Sequence, residues 1–192
     1  MGREFELKYR ATPAAQQAIQ AAFGDFRTIS METTYYDTPE GALAAQHVTL
    51  RLRKENDTCV CTMKTPLADG SRGEWECHAE DIYQGLQMLA LSGAPRDLCQ
   101  LASSGVTVVC GAKFTRLATE ISTADGVAEL AIDSGILLGG GKELPLREVE
   151  IEHKSSSDQA TIQLAAMIAT RFALEREGKS KFRRALELSK GE

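Results

Sequence analysis

What the chain lacks narrows its class before any motif is read. No apolar run reaches the roughly 20 residues that a membrane-spanning helix needs. The N-terminus is charged rather than signal-like. No Pro-, Ser- or Gly-rich linker divides the 192 residues, and the three glycines at 139–141 read as a tight loop between two strand-like runs. A single domain over residues 1–192, with no membrane partner, is the expectation. Basic charge is not in excess: a net charge of −5 argues against general nucleic-acid binding. Histidine is scarce, and His47, His78 and His153 are scattered without ligand-type spacing. The five cysteines, Cys59, Cys61, Cys77, Cys99 and Cys110, are odd in number, and Cys59-Val-Cys61 is too tight for a zinc knuckle. They read as small hydrophobes in a reduced, cytoplasmic protein. No Ser/His/Asp or Cys/His arrangement offers a nucleophile.

What is present is charge in an unusual pattern. The composition, 43% hydrophobic and 26% charged, is that of a globular domain. In "REFELKYR", Glu4, Glu6, Lys8 and Arg10 share one strand face, and Phe5, Leu7 and Tyr9 share the other. The alternation recurs. "VTLRLRKEN" sets Arg51 and Arg53 against Leu50 and Leu52, and a turn at Asn56-Asp57 leads into a strand carrying Lys64. "GSRGEWECHA" sets Arg72, Glu74 and Glu76 against Trp75 and Cys77. Later runs offer Arg116, with Lys113 on the opposite parity; Glu129 and Asp133; and Glu148, Glu150 and Glu152 opposite Val149 and Ile151. Helical spacing with caps marks segments after Thr12, from Asp81, from Pro95 and from Ser157, and a short helix closes the chain.

Hairpin-like spacing of so many strands predicts an antiparallel β-rich α+β domain. The charged faces then meet one another, either lining a closed barrel or facing water from an open sheet. They are poor in neutral polar residues and rich in Arg, which suits oxyanions, and in Glu, which suits hard divalent cations. Such a lumen fits a highly charged anion with its metal ions; the alternative is a charge-paired structural barrel.

Together, Glu4-x-Glu6-x-Lys8, "YYDTP" from Tyr35 to Pro39, "LRLR" with Arg51 and Arg53, "TMKTP" with Lys64, "EVEIE" ending at Glu152, and "SKFRRA" with Lys181 resemble the CYTH domain, or triphosphate tunnel metalloenzyme, superfamily. The ordered set covers nearly the whole chain and looks most like the bacterial inorganic-triphosphatase branch. The resemblance implies an eight-stranded antiparallel β-barrel with a charged lumen and helices packed outside, binding inorganic triphosphate or another triphosphate with Mg2+ or Mn2+. It also leaves open adenylate cyclase or organic triphosphatase activity, or a non-catalytic polyphosphate-binding role. Many relatives continue into a helical CHAD domain, so the chain reads as a free protein or an excised domain, monomeric or a homodimer.

The implied roles follow. Glu4, Glu6 and Glu152, with Glu150, would hold metal; Glu4, Glu6, Lys8 and Glu152 would be catalytic. Lys8, Arg51, Arg53, Lys64, Arg116 and Lys181 would clamp phosphate oxygens. Glu74, Glu76, Glu129 and Asp133 would orient those cations. From spacing alone, Glu4 and Glu6 lie about 7 Å apart along one face, a separation at which two carboxylates can share an ion or its water shell. Glu148 is placed at the mouth or paired with an Arg, Arg72 in the lumen or in solvent, and Lys113, Lys179 and Arg183 at the surface or mouth.

Overall fold

The computed structural model describes residues 2–67 and 72–191, and of residues 2–4 only the backbone. The strands are β1 (Gly2–Glu4), β2 (Glu6–Arg10), β3 (Arg27–Asp37), β4 (Thr49–Glu55), β5 (Thr58–Pro66), β6 (Arg72–His78), β7 (Thr107–Ser122), β8 (Val127–Gly139), β9 (Lys142–His153) and β10 (Glu175–Arg176). The helices are α1 (Pro13–Phe23), α2 (Ala42–Ala45), α3 (Ile82–Leu91), α4 (Arg96–Ser103), α5 (Asp158–Arg171) and α6 (Lys181–Lys190). All the strands form one ten-stranded antiparallel sheet in the order β1-β6-β5-β4-β3-β7-β8-β9-β2-β10.

The local causes are legible. Thr12 caps α1 by accepting from the Ala15 amide at 3.1 Å, Pro13 supplies a preset φ at the first turn, and Gly24 at φ 59° ends the helix. Ser157 and Ser180 cap α5 and α6 in the same way. The β8–β9 hairpin turns through Gly140 and Gly141 at φ 58° and 74°, which a two-residue turn of this kind requires of both positions.

Two expectations are corrected. The sheet is not a closed eight-stranded barrel: its hydrogen-bonded order has two ends, β1 and β10, which do not pair. The N-terminal chain visits both sides, because Gly2–Glu4 pairs with β6 while Glu6–Arg10 pairs with β9, so the chain changes partners at Phe5. A single uninterrupted first strand would hide this switch, since side-chain alternation alone does not report which neighbour a backbone bonds.

The second correction concerns the helices, which do not all lie outside. The outer face of β4, β5 and β6 presents Leu50, Cys61, Met63 and Trp75 to Leu86 and Leu89 of α3 and to α4. The outer face of β2, β8 and β9 packs Leu130, Ile132, Val149 and Ile151 against Ile19 of α1 and Ile168 of α5. Fully burying each such side chain stabilises by roughly 1.5–3 kcal/mol. Helix α6, however, lies on the inner face. Its Ala185, with Phe182 and Leu186, packs on Met31, Tyr35, Ala112, Phe114, Leu137 and Leu146, residues of the same parity as the charged side chains. Gly139 permits this approach, because a Cβ there would stand 2.2 Å from the Ala185 carbonyl. Apolar residues interrupt the charged faces here, and an amphipathic helix fills the space they leave.

Candidate functional site

The inner faces enclose a cleft of about 310 Å³. Residues from β2, β3, β4, β5, β6, β7, β8 and β9 and from the start of α6 line it, so the sheet curls far enough for distant strands to share one space. Of the residues expected at the site, Glu6, Lys8, Arg51, Arg53, Lys64, Glu74, Glu76, Arg116, Glu129, Glu150, Glu152 and Lys181 line it. The side chain of Glu4 lies outside the described residues. Asp133 and Glu148 do not line the cleft; both have no exposed surface and lie beneath its floor.

Cross-strand register makes one acidic row. Glu6 on β2 stands opposite Glu152 on β9, and Glu152 stands opposite Glu129 on β8. Glu6 accepts from Lys8 at 2.8 Å. Lys154 lies 3.1 Å from Glu152 and 3.8 Å from Glu129, and Arg27 contacts Glu129. Lys154 and Arg27 are cations in water, with 39% and 57% of their side chains exposed. Such partners neutralise weakly. Burial raises the Glu152 carboxyl above its ordinary value, and the charges of Glu6 and Glu129 add to the rise, while Lys154 only partly opposes it.

A cationic wall comes from β4 and β5. Arg51 lies 3.7 Å from Glu74 and 3.6 Å from Glu76, Lys64 lies 3.1 Å from Glu74, and Arg53 Nε donates to Glu55 at 2.7 Å. Burial lowers the Arg53 guanidinium from its ordinary value, and the neighbouring charges of Arg51 and Arg116 lower it further. Each of these three cations thus has a carboxylate neighbour, while Arg51, Arg53 and Arg116 stand close enough to repel one another. Arg72 also lines the cleft; its Nη2 donates to the His47 and Lys64 carbonyls and to Thr49.

A third group runs from the cleft lining, where Glu150 and Lys181 stand, down to the buried Asp133 and Glu148. Ligand oxygens of Asp133, Glu148 and Glu150 all fall within 4.8 Å of one another, a spacing able to hold a metal ion. Here the Lys181 ammonium stands among them, 2.8 Å from Asp133, 2.5 Å from Glu148 and 2.7 Å from Glu150. Arg116 binds both Asp133 oxygens, at 2.8 and 2.7 Å, and reaches Glu150 at 2.5 Å. Arg184 pairs with Glu148 and lies 3.4 Å from Glu177, which accepts from Arg10 at 2.7 Å. Burial pushes Glu150 up, but Lys181 and Arg116 outweigh it and hold its carboxyl well below the usual range. Burial also opposes the charge on Lys181, yet Asp133, Glu150 and Glu148 raise its ammonium well above the ordinary value.

The remaining expectations sort simply. Lys113 faces outward, 2.7 Å from Glu32, with both side chains 55% exposed. Lys179 and Arg183 both bind Glu187 on the surface. None of the three histidines lines the cleft. Trp75, Cys61 and Cys99 are outer-face core. In "YYDTP", Asp37 accepts from the Thr38, Leu43 and Ala44 amides, fixing the turn into α2, while Tyr35 lines the cleft and stacks 5.1 Å from Phe182. Sequence reasoning missed Arg27, Glu55, Lys154 and Arg184. Glu55 shares the parity of Arg51 and Arg53, and Arg184 follows Lys181 by three residues in a helix, so both carried a signal. Arg27 precedes the apolar Ile29 and Met31, and Lys154 lies beyond its strand, so neither did.

No helix among the described residues is long and apolar enough to cross a membrane. Comparison with known proteins agrees with the architecture. The chain is 27% identical over 166 residues to an inorganic triphosphatase of Haemophilus influenzae, covering 83% of this chain and 47% of that protein. It thus spans about half the length of that relative. HpAC1 from Hippeastrum, described by a dominant triphosphatase activity, has 22% identity and a TM-score of 0.68, with 96% of this chain and 95% of that one covered. The PH1819 protein of Pyrococcus horikoshii OT3 has 20% identity and a TM-score of 0.66, with 96% and 99% covered. At these identities the two structures share the fold. The sequence profile of the CYTH domain family matches residues 2–186, and the chain belongs to that family.

Proposed function

We propose that the chain hydrolyses inorganic triphosphate to phosphate and pyrophosphate with the help of a divalent cation, as in the bacterial inorganic-triphosphatase branch. One observation carries this reading. A row of cations, Arg51, Arg53 and Lys64, and a row of mutually repelling carboxylates, Glu6, Glu152 and Glu129, share one cleft. The first calls for a polyanion and the second for a cation.

Glu6, Glu152 and Glu129 would hold Mg2+ or Mn2+: three oxygen donors on adjacent strands suit a hard cation, and their repulsion falls when one is present. The bound cation would neutralise phosphate charge and lower the pKa of an attacking water. The side chains do the positioning. Arg51 and Arg53 share one face of β4, so their guanidinium groups can meet successive phosphate oxygens. Arg116 is braced by both Asp133 oxygens, so it presents a fixed charge at the cleft surface. Lys8, beside Glu6 and opposite Glu150 in the β2–β9 register, brings a cation next to the acidic row. Phosphoryl transfer depends mainly on such positioning and neutralisation. Similarity to the Haemophilus influenzae triphosphatase supports the substrate class.

A second reading, hydrolysis of an organic triphosphate, draws on the uncharged strip of Ile29, Met31, Tyr35 and Phe114, which could receive a flat ring. Phosphate release from tripolyphosphate, ATP and thiamine triphosphate, each with Mg2+ and with Mn2+, separates the two. Faster turnover of tripolyphosphate, abolished by EDTA, is expected. Faster turnover of ATP or thiamine triphosphate would favour the second reading, and full activity in EDTA would end the metal-dependent one.

A further inference from the structure

We propose that Lys154 is an exchangeable counter-ion of the acidic row: it holds Glu152 and Glu129 until a divalent cation arrives, then passes to an oxygen of the bound polyanion. The inference deepens the reading above and rests on its placing of the cation at Glu6, Glu152 and Glu129. Lys154 lies just past the end of β9, where its amide donates to the Val127 carbonyl at 3.2 Å and anchors the backbone. Its ammonium stands 3.1 Å from Glu152 and 3.8 Å from Glu129, so it straddles two of the three carboxylates. The side chain lines the cleft and is 39% exposed. A flexible four-carbon stem on a fixed backbone can therefore swing from the carboxylates into the space an anion would fill.

Charge drives the exchange. Among the described residues, three carboxylates face three cations: Lys8 beside Glu6, Arg27 beside Glu129, and Lys154 between Glu129 and Glu152. A divalent cation on the same oxygens leaves a surplus of two positive charges, and it competes with the Lys154 ammonium for the same lone pairs. Lys8 is hydrogen-bonded to Glu6, and Arg27 to Glu129. Glu152, the middle carboxylate of the row, has Lys154 as its ion-pair partner among the described residues, so Lys154 is the cation that gives way there. The surplus attracts a polyanion, and the released ammonium adds one more contact to it. Cation and polyanion then tighten each other's binding, by the same factor in both directions.

Two readouts independent of turnover test this role in Lys154→Met, with Lys113→Met as a control for an equal charge change on the outward face. Mn2+ alone, titrated by electron paramagnetic resonance, should bind Lys154→Met about threefold more tightly than wild type, a factor within the range of a partly exposed ion pair. At saturating Mn2+, a methylene-bridged analogue of tripolyphosphate should bind Lys154→Met about threefold more weakly in a calorimetric titration. Lys154→Gln should repeat both changes, and Lys113→Met should show neither. Wild-type Mn2+ affinity in Lys154→Met, or an analogue affinity that does not weaken, would overturn the proposal. Glu152→Gln separates this failure from that of the underlying reading. If Glu152→Gln binds Mn2+ as tightly as wild type, the acidic row does not hold the ion and both fall. If it binds Mn2+ about tenfold more weakly, as loss of a metal-site carboxylate predicts, while Lys154→Met matches wild type, the reading stands and the role of Lys154 alone falls.

Discussion

Glu150 and Glu152 sit two residues apart on the same face of β9, yet their environments push them in opposite directions. Glu150 belongs with Asp133 and Glu148, where Lys181 and Arg116 are nearly buried and hold it ionised far below its ordinary range. Glu152 belongs with Glu6 and Glu129, where burial and like charge raise it and the nearest cation is partly in water. Each group has three carboxylates and nearby cations. The difference lies in solvent access: a buried ion pair resists separation, whereas an exposed lysine can leave at little cost. A set of carboxylates is therefore open to an incoming ion when its present partners can step away, not when the carboxylates are merely close together.

The comparison can be broken from either side. Asp133→Ala should be the costliest change, because it leaves Lys181 and Arg116 short of a buried partner; about 3–5 kcal/mol of folding stability should go, read by urea unfolding. A loss under about 1 kcal/mol would mean that this buried group is loose. Glu152→Gln should do the reverse, lowering tripolyphosphate turnover by about a hundredfold, the upper range for disturbing a metal centre, while stability holds. An equal loss of stability would erase the distinction between the groups. Arg53→Lys keeps the charge but not the planar fork, and should weaken triphosphate by about tenfold, or roughly 1.4 kcal/mol, in a calorimetric titration. Unchanged affinity would remove Arg53 from the anion site.

The acid limb offers a subtler test. The folded-state value of Glu150 lies below its ordinary 4.5, so the unfolded chain binds more protons as pH drops. Its contribution is full above that value and is lost as pH falls through the folded one. Glu150→Gln should flatten the fall of the melting temperature below the ordinary carboxylate range; a fall as steep as in wild type would show that Glu150 is not the group titrating. The smallest effect belongs to the exposed Lys113–Glu32 pair, where Lys113→Ala should change stability by no more than about 0.5 kcal/mol.

The sequence made the strands and their charged parity legible, because side-chain alternation has period two and a hairpin keeps neighbours adjacent. It therefore pointed to Glu6, Arg51, Arg53 and Glu152 as residues of one space. It did not reveal the change of partners at Phe5, which depends on backbone pairing, and so could not show that the ladder has two ends. Nor did it reveal that α6 lies inside, because an amphipathic helix reads the same on either face of a sheet. That placement sets Lys181, which lines the cleft, among Asp133, Glu148 and Glu150. Glu148 and Glu150 share the parity of Glu152, and only the position of α6 separates them.

The most direct test of the difference between the two acidic groups is the anomalous scattering of Mn2+ in crystals of the wild-type protein. The expected peak lies beside Glu6 and Glu152, with Lys181 still seated among Asp133, Glu148 and Glu150. A peak inside that triad, with Lys181 displaced, would contradict it.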